Sequence, residues 1–371
     1  MLINGGRMFL ERISVINYKN IGQAELAFSS KINCFVGSNG AGKSNLLDAV
    51  YYLSFCKSAS NPIDSQNIRH GQDFFMLQGF YKRETDEKDE VSCGLRRNRR
   101  KSFKRNKKEY RRLSEHIGLI PLVLVTPDDS CLITDGSSFR RRFIDMAIVQ
   151  YDHEYLEALT RYNKALQQRN AMLKEAEGDE DLMDVMEEIM AREGKEIFQR
   201  RASFVEAFTP VFEEYYGEIS GDREHVGLTY VSDALHGDLL QAMRESRQKD
   251  RIVGFSLKGI HKDDLEMTLG GFPIRHEGSQ GQNKTYVIAM KLAQWDFLRH
   301  TGNGTKPLLL LDDIFDKLDT TRVEQIVKIV AGEKFGQIFI TDTHRARQEN
   351  ILGKTDNQYM LFNVEDGEIK P

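Results

Sequence analysis

Apolar and polar residues alternate over much of the first hundred positions, which is the pattern of β-strands. Alternation places apolar side chains on one face of a sheet, whereas a continuous apolar run suits a strand buried on both faces. Residues 9–36 show two alternating stretches and then the mainly apolar run Ile32–Val36, which reads as a short buried strand. We therefore predict a hairpin that leads into a central strand. Further strands are predicted at 74–81, 89–95 and 122–125, with a continuation of the second hairpin over 96–112.

The period changes near residue 151. Over 152–176, and again over 182–217, apolar residues recur every three or four positions, as in a helix that buries one face. A polar break at 178–181 separates the two stretches. The pattern predicts an antiparallel pair of long helices, interpreted as an arm inserted between two halves of another domain. An ordinary helical subdomain fits the periodicity equally well.

The end of the chain alternates between helices and strands. Strands return at about 225, so we predict one α/β domain formed by residues 1–150 and 225–371, with residues 151–224 as the helical, coiled-coil-like arm. Within the final segment, the pattern predicts helices at 283–299 and 320–331 and strands at 308–311, 337–341 and 358–363.

Residues 37–44 read Gly-Ser-Asn-Gly-Ala-Gly-Lys-Ser, a complete G-x-x-x-x-G-K-[ST] phosphate loop between a predicted strand and a predicted helix. Backbone N–H groups and the positive helix end bind phosphate oxygens in such loops. Lys43 is expected to reach the β and γ phosphates as a catalytic group, and Ser44 to offer its hydroxyl to Mg²⁺. The predicted ATP contacts are Gly37, Ser38, Asn39, Gly40, Ala41, Gly42, Lys43, Ser44 and Asn45.

A second motif, Leu-Leu-Leu-Leu-Asp-Asp, covers residues 308–313 and has the Walker B pattern. A central parallel strand needs such a run because both of its faces are buried. Asp312 is expected at the carboxyl end of the strand, beside the phosphate loop, as part of the Mg²⁺ site. Asp313 is expected to orient or deprotonate the attacking water. Because aspartate is shorter than the glutamate common at this position, we expect slow turnover.

A third element precedes helix 283–299 and is similar to the ABC signature pattern, which binds the γ-phosphate of a nucleotide held by another subunit. It consists of Ser279, Gln280, Gly281 and Gln282. The resemblance implies a dimer held together by ATP. The segment 339–345 stands where ABC ATPases have a switch residue, and His344 is one candidate beside Thr343 and Asp342. The Q-loop glutamine is left open among Gln66, Gln72 and Gln78.

The 371 residues carry a net charge of −4, which excludes a globally basic protein. Residues 96–112, however, contain eleven positive side chains and one acidic one, and this imbalance predicts contact with a polyanion. The predicted DNA-binding residues are Arg99, Arg100, Lys101, Lys104 and Arg105. No apolar run approaches about 18 residues, so no membrane span is expected. The four scattered cysteines fit a reducing, cytoplasmic setting.

In several segments the chain resembles the RecF family of bacterial recombinational repair proteins, in order and over almost its whole length. The segments are 17–20, 67–71, 127–130 with Gly136 and 140–145, 259–264, 279–282 and 311–319. The resemblance implies an ABC-type P-loop ATPase head related to SMC proteins. It also implies ATP-dependent dimerisation on double-stranded and gapped DNA, and work with RecO and RecR in loading recombinase.

Two segments depart from the family pattern. Ile260-His261-Lys262 stands where Pro-His-Arg is usual, and Asp316-Lys317-Leu318-Asp319 stands where Ser-Glu-Leu-Asp is usual. The second change puts a lysine into the D-loop that would face the other subunit. Three rival functions are a transporter ATPase subunit, an SMC-type structural protein and a small-molecule kinase. The helical arm disfavours the first, its short length the second, and the 279–282 segment the third.

Overall fold

The computed structural model describes residues 8–175, 179–222, 224–302, 304–314, 318, 320–343 and 359–371. The chain divides into two compact units. The first combines Met1–Asp129 with Lys284–Pro371, and the second is Ser130–Asn283. The 151–224 segment predicted as the arm lies inside the second unit, which also contains residues 130–150 and 225–283. Among the described helices, none has the length and apolar character needed to cross a membrane.

The elements of the described ranges are labelled in chain order. The strands are β1 (Met8–Tyr18), β2 (Ile21–Ala27), β3 (Ile32–Val36), β4 (Phe74–Arg83), β5 (Lys88–Arg96), β6 (Ser102–Arg105), β7 (Lys108–Glu109), β8 (Leu122–Val125), β9 (Val226–Val231), β10 (Asp264–Leu269), β11 (Phe272–Pro273), β12 (Leu308–Leu311), β13 (Ile338–Asp342), β14 (Tyr359–Glu365) and β15 (Glu368–Lys370). The helices are α1 (Lys43–Phe55), α2 (Cys131–Thr134), α3 (Ser137–Ile148), α4 (His153–Met172), α5 (Glu180–Ser220), α6 (Leu239–Val253), α7 (Ile274–Glu277), α8 (Gln280–Thr301) and α9 (Thr320–Ala331).

The first unit contains a mainly parallel sheet in the order β15-β14-β3-β13-β12-β8. Strands β3, β12 and β13 are buried along their whole length, which explains why most of their residues are apolar. β13 lies between the other two, with Asp342 opposite Val36 and Ile340 opposite Leu311. The carboxyl ends of these three strands therefore meet at one edge of the sheet.

An antiparallel sheet in the order β2-β1-β4-β5-β6-β7 completes the first unit. Its strands alternate between buried and exposed positions, as in β1 and β4. Helix α1 contacts β1, β4 and β5 of this sheet and β8 and β13 of the parallel sheet, so it packs between the two. The phosphate loop therefore leads from β3 into a helix that packs against both sheets.

The second unit is built on α4 and α5, which run antiparallel. Arg161 pairs with Glu193 and Arg169 with Glu187, so residue numbers rise along one helix as they fall along the other. Helix α5 spans 41 residues, and Gly221 ends it in the left-handed conformation that favours glycine. Helices α3 and α6 and a small sheet in the order β11-β10-β9 pack against this pair.

Most of the predicted elements are confirmed, including the central strands, the two long helices and the hairpin that contains the basic segment. Two of the longer helices were not predicted: α3 lies in a stretch for which the sequence analysis gives no element, and α6 lies in a region where it predicts only strands. The residues that α6 buries are Leu239, Met243, Ser246 and Asp250. Two of these four are polar, so the buried face of α6 contains few apolar residues.

Candidate functional site

The phosphate loop connects β3 to α1 at the carboxyl edge of the parallel sheet. Two glycines are required by its geometry. A β-carbon on Gly37 would lie 2.1 Å from the Val364 carbonyl oxygen, and Gly42 has a φ of 117°. The side chains of Ser38 and Asn39 and the backbone at Gly40 are exposed, whereas Ala41, Gly42 and Lys43 are buried. The first part of the loop is therefore accessible to a ligand, whereas its last part is packed inside the unit.

Asn20, in the turn between β1 and β2, fixes this loop from the side. Its amide nitrogen donates to the carbonyl of Ala41 at 3.2 Å, and its amide oxygen accepts from Asn45 Nδ2 at 2.7 Å. A β-carbon on Gly42 would lie 2.8 Å from the Asn20 oxygen. The sequence patterns assign no role to Asn20, because only the packing of the turn against the loop shows its contacts.

Lys43 points its ammonium group into the loop. It donates to the carbonyl oxygens of Gly37 at 2.7 Å and Ser38 at 2.9 Å. Burial lowers the pKa of Lys43, and the negative charges of Asp313 and Asp312 partly oppose that shift. Neutral carbonyls are weaker partners for a cation than phosphate oxygens. The ammonium is thus placed where an anion would displace those two carbonyl contacts.

Asp312 follows β12 and receives two hydroxyl hydrogen bonds. Ser44 Oγ donates to its Oδ1 at 2.9 Å, and Thr341 Oγ1 donates to the same oxygen at 2.7 Å. Burial raises the pKa of Asp312, while the bonds from Thr341 and Ser44 act in the opposite direction. The predicted Mg²⁺ ligands Ser44 and Asp312 are therefore adjacent.

This donor set suits Mg²⁺, which takes oxygen ligands and usually one or two protein groups, with phosphates and water completing the shell. No cluster of three or more histidine, cysteine, aspartate or glutamate residues able to hold a metal occurs in the part of the chain that the structure describes. Ser44 and Asp312 are the groups that would hold Mg²⁺, and its charge would neutralise phosphate oxygens.

Thr341 also connects Asp313 to Asp312. Its hydroxyl oxygen accepts from the backbone N–H of Asp313 at 2.9 Å while it donates to Asp312. Asp313 has a φ of 48°, an uncommon conformation for a residue with a side chain. Gly37 N also donates to the carbonyl of Asp342 at 3.3 Å. The end of β13 therefore contacts both the phosphate loop and the acidic pair.

In the second unit, Ser279 and Gln282 form a capping box at the start of α8. Ser279 N donates to Gln282 Oε1 at 2.8 Å, and Gln282 N donates to Ser279 Oγ at 3.3 Å. Gln282 Nε2 also donates to Glu224 Oε1 at 2.5 Å. Ser279 and Gln280 are exposed, and Gly281 is half-buried. An exposed serine at the positive end of a long helix is accessible to an anion from outside the chain.

The basic segment contains both exposed and internally paired side chains. Arg99 and Arg100 are exposed in the β5–β6 turn, and Lys104 is partly exposed. Lys101 instead donates to Asp64 at 2.7 Å, and Arg105 pairs with Asp89 at 2.8 Å. Arg105 thus joins two strands of the hairpin, whereas Lys101 connects its turn to Asp64 outside the hairpin. DNA contact by any of the five residues stays a prediction.

The switch and Q-loop assignments stay open. His344 lies outside the described residues, as do Asp316, Lys317 and Asp319 of the D-loop segment. Of the three glutamines, Gln66 and Gln72 are exposed. Gln78 donates to Glu90 at 2.7 Å.

Two buried arginines in the second unit were not indicated by any sequence pattern. Arg201 pairs with Asp145 at 2.9 Å and with Asp263 at 3.2 Å. Arg169 pairs with Glu187 and Asp250, both at 2.8 Å. Asp145 and Asp263 belong to the 140–145 and 259–264 segments, so two of the family-like segments meet around Arg201.

The comparisons with known proteins agree with this architecture. The model of the RecF/RecN/SMC N terminal domain matches residues 9–370. A DNA replication and repair protein RecF from Phocaeicola vulgatus is 64% identical over 363 residues, which cover 98% of each chain.

Solved structures support the same conclusion. A recombination mediator protein described as RecF-ATPrS in the RecFOR pathway matches with a TM-score of 0.88 and 28% identity over 99% of each chain. The Smc head domain from Pyrococcus furiosus, at 19% identity, covers 98% of this chain and 95% of its own with a TM-score of 0.59, and supports the fold alone. The chain therefore belongs to the RecF family and has the predicted ABC-type ATPase head fold with a helical insertion.

Proposed function

We propose that this chain is an ATP-dependent DNA-binding protein of recombinational repair, which dimerises on DNA and helps to load a recombinase at gaps. The observation that carries the proposal is the convergence of Lys43, Ser44 and Asp312 at one edge of the parallel sheet. A cation, a hydroxyl and a carboxylate in that arrangement suit a nucleoside triphosphate with Mg²⁺. The matched relative described as RecF-ATPrS supports ATP as the nucleotide.

Each subunit holds the triphosphate on its own phosphate loop. Lys43 exchanges its two carbonyl partners for phosphate oxygens, and the loop N–H groups orient the chain of phosphates. Asp313 orients the attacking water, a role supported by its position after Asp312. Turnover is slow, below about 10 per second, the median of enzymes in general. A faster rate in the presence of DNA contradicts the proposed slow turnover.

A second copy of the chain completes the binding site for the γ-phosphate. Ser279, exposed immediately before α8, supplies a hydroxyl, and the helix end supplies N–H groups. The two nucleotides are therefore enclosed between two subunits. Hydrolysis removes the bridging phosphate and opens the dimer.

DNA is contacted mainly through its phosphates, by the exposed part of the basic hairpin. Arg99 and Arg100 are accessible, and Lys104 is partly so. Each of these side chains that neutralises a DNA phosphate releases a counterion from the DNA. Reversing all three charges is therefore expected to reduce the slope of log affinity against log salt concentration. A slope equal to that of the wild type would place the DNA elsewhere on the molecule.

RecR and RecO are the proposed protein partners, on the basis of the RecFOR pathway named for the matched structure. The chain acts in the cytoplasm with double-stranded and gapped DNA. A membrane-coupled transporter subunit is the alternative within the same fold, and co-purification with membranes would favour it. An SMC-like subunit is disfavoured by the 41-residue length of α5, which is too short to tether distant DNA segments.

Sedimentation with Mg²⁺ and ATP, with and without duplex DNA, tests the dimer. The wild type is expected to form nucleotide-dependent dimers that Ser279→Arg abolishes, while ATP binding by the single chain is retained. Ser138→Arg is a matched control, because Ser138 is also exposed in the first turn of a helix of the second unit. A wild-type chain that stays monomeric at saturating ATP contradicts the proposal.

A further inference from the structure

The exposed face of the antiparallel sheet carries an open groove of about 700 Å³ at the end nearest the β5–β6 turn. Its volume is in the range of sites that hold small organic ligands. Phe74 and Met76 of β4 line it, and both are unusually exposed for their type, at 43% and 38%. The groove belongs wholly to the first unit and does not include the phosphate loop.

The sheet register explains why these two apolar side chains are uncovered. Met76 lies opposite Gly94 of β5, and Gly94 lies opposite Ser102 of β6. Glycine places no side chain beside Met76, and a β-carbon built there meets nothing within 4 Å. A gap thus stands in the face where a neighbouring side chain would otherwise pack.

Arginines surround this apolar surface. Arg96 lies opposite Phe74 in the register, and Arg99 and Arg100 line the groove from the turn. All three are exposed, and Asp73 is the one acidic side chain among the lining residues. A ligand for this groove must combine negative charge with flat or apolar surface.

We propose that this groove binds single-stranded DNA, with an unpaired base seated on Phe74 and Met76 and its flanking phosphates on Arg96, Arg99 and Arg100. Stacking on an aromatic ring needs a base face that a closed duplex does not expose, whereas phosphate contact alone does not distinguish the two forms. The inference rests on the proposed DNA-binding function and assigns a preferred form of DNA to this surface.

The test measures affinity for a single-stranded oligonucleotide and for a duplex of equal length, at one salt concentration. Phe74→Ala with Met76→Ala is expected to weaken single-strand binding about tenfold, as base stacking on aromatic residues does, and to change duplex binding less than twofold. Tyr359→Ala with Met360→Ala is the matched control, because this aromatic and methionine pair is similarly exposed, at 38% and 36%, on the same unit.

An abasic site in the oligonucleotide separates stacking from charge. The wild type is expected to lose affinity when a base is removed, whereas the Phe74→Ala, Met76→Ala variant loses none further. Equal single-strand affinity in variant and wild type, or no single-strand binding by the wild type, overturns the inference. If the groove variant instead loses only an acidic protein partner, the groove is a peptide site and the inference is wrong. Failure of the wild type to bind duplex DNA with ATP would count against the proposed function itself.

Discussion

In the first unit, the charged groups beside the phosphate loop have partners that a ligand can replace. Lys43 donates to two neutral carbonyls, and Asp312 accepts from two hydroxyls. In the second unit, Arg169 and Arg201 are buried and each pairs with two carboxylates. The charged groups beside the phosphate loop therefore contact neutral groups, whereas the two buried arginines of the second unit are neutralised by carboxylates.

The largest expected effect concerns the second unit. Replacing Arg201 with Met leaves Asp145 and Asp263 without their shared cation, and breaking a buried pair in this way costs about 3–5 kcal/mol. Urea unfolding of the variant measures this loss. Arg192→Met is a control, because Arg192 lies on the same helix with its side chain 69% exposed. A loss below about 1 kcal/mol would mean that the network does not stabilise this unit.

Lys43→Ala is expected to weaken ATP binding strongly and to change the stability of the fold little. Hydrogen bonds to charged groups contribute about 1.5–3 kcal/mol, so ATP affinity should fall by roughly 10–150-fold. Because the partners left behind are two loop carbonyls, the free energy of unfolding should change by less than about 1 kcal/mol. Calorimetric titration with ATP and urea unfolding measure the two quantities. Large destabilisation with intact ATP binding would remove the contrast between the units.

The first unit also contains a buried histidine, His116. Its Nε2 lies 2.7 Å from the Leu53 carbonyl, which makes Nε2 the donor, and its Nδ1 lies 3.0 Å from the Tyr110 hydroxyl. Burial lowers the pKa of His116 to about 4. As pH falls, the unfolded chain takes up the proton first, near pH 6.5, so stability is lost between about pH 6.5 and 4.

The expected loss from His116 alone is about 2 kcal/mol between pH 7 and pH 5. His116→Gln should lower stability at pH 7 but flatten its dependence on pH over this interval. His70→Gln is the control, because His70 is exposed in the same unit. An equal pH dependence in His116→Gln and in the wild type would show that His116 titrates normally in the folded protein.

The smallest expected effect concerns Asn20. Asn20→Ala removes the bonds to Ala41 and Asn45, and the loss of about 1 kcal/mol corresponds to roughly fivefold weaker ATP binding. Asn61→Ala serves as the control, since that side chain bonds only locally, to the N–H of Ile63, among the contacts described. Unchanged ATP affinity in Asn20→Ala would mean that the loop keeps its shape without this clamp.

Sequence patterns predict the parts of this molecule whose cause is local. The glycines of the phosphate loop allow close backbone approach, and the mainly apolar strands β3 and β12 are buried on both faces. Both features can be predicted from the sequence. Contacts between residues that are distant in the sequence cannot be predicted in this way. Asn20 meets the loop only because the β1–β2 turn packs against it, and Thr341 meets Asp312 only because β13 lies beside β12.

The same limit applies to charge. The basic segment reads as one run of positive side chains, but Lys101 pairs with Asp64, outside the hairpin, and Arg105 pairs with Asp89 of the neighbouring strand β5. A run of like charges predicts a polyanion site without showing which members are free. Arg201 stands in a helical pattern where a polar residue suggests an exposed face, and only its pairing with Asp145 and Asp263 permits burial.

The most direct measurement mixes two inactive variants, Lys43→Ala and Ser279→Arg. If a nucleotide is enclosed by the phosphate loop of one subunit and the serine of the other, each variant alone has two defective sites. A mixed dimer has one intact site, formed by the loop of the Ser279→Arg chain and the serine of the Lys43→Ala chain. We predict that mixing restores dimers and ATP hydrolysis that neither variant shows alone. Activity in the mixture equal to the average of the separate variants would contradict a site shared between two subunits.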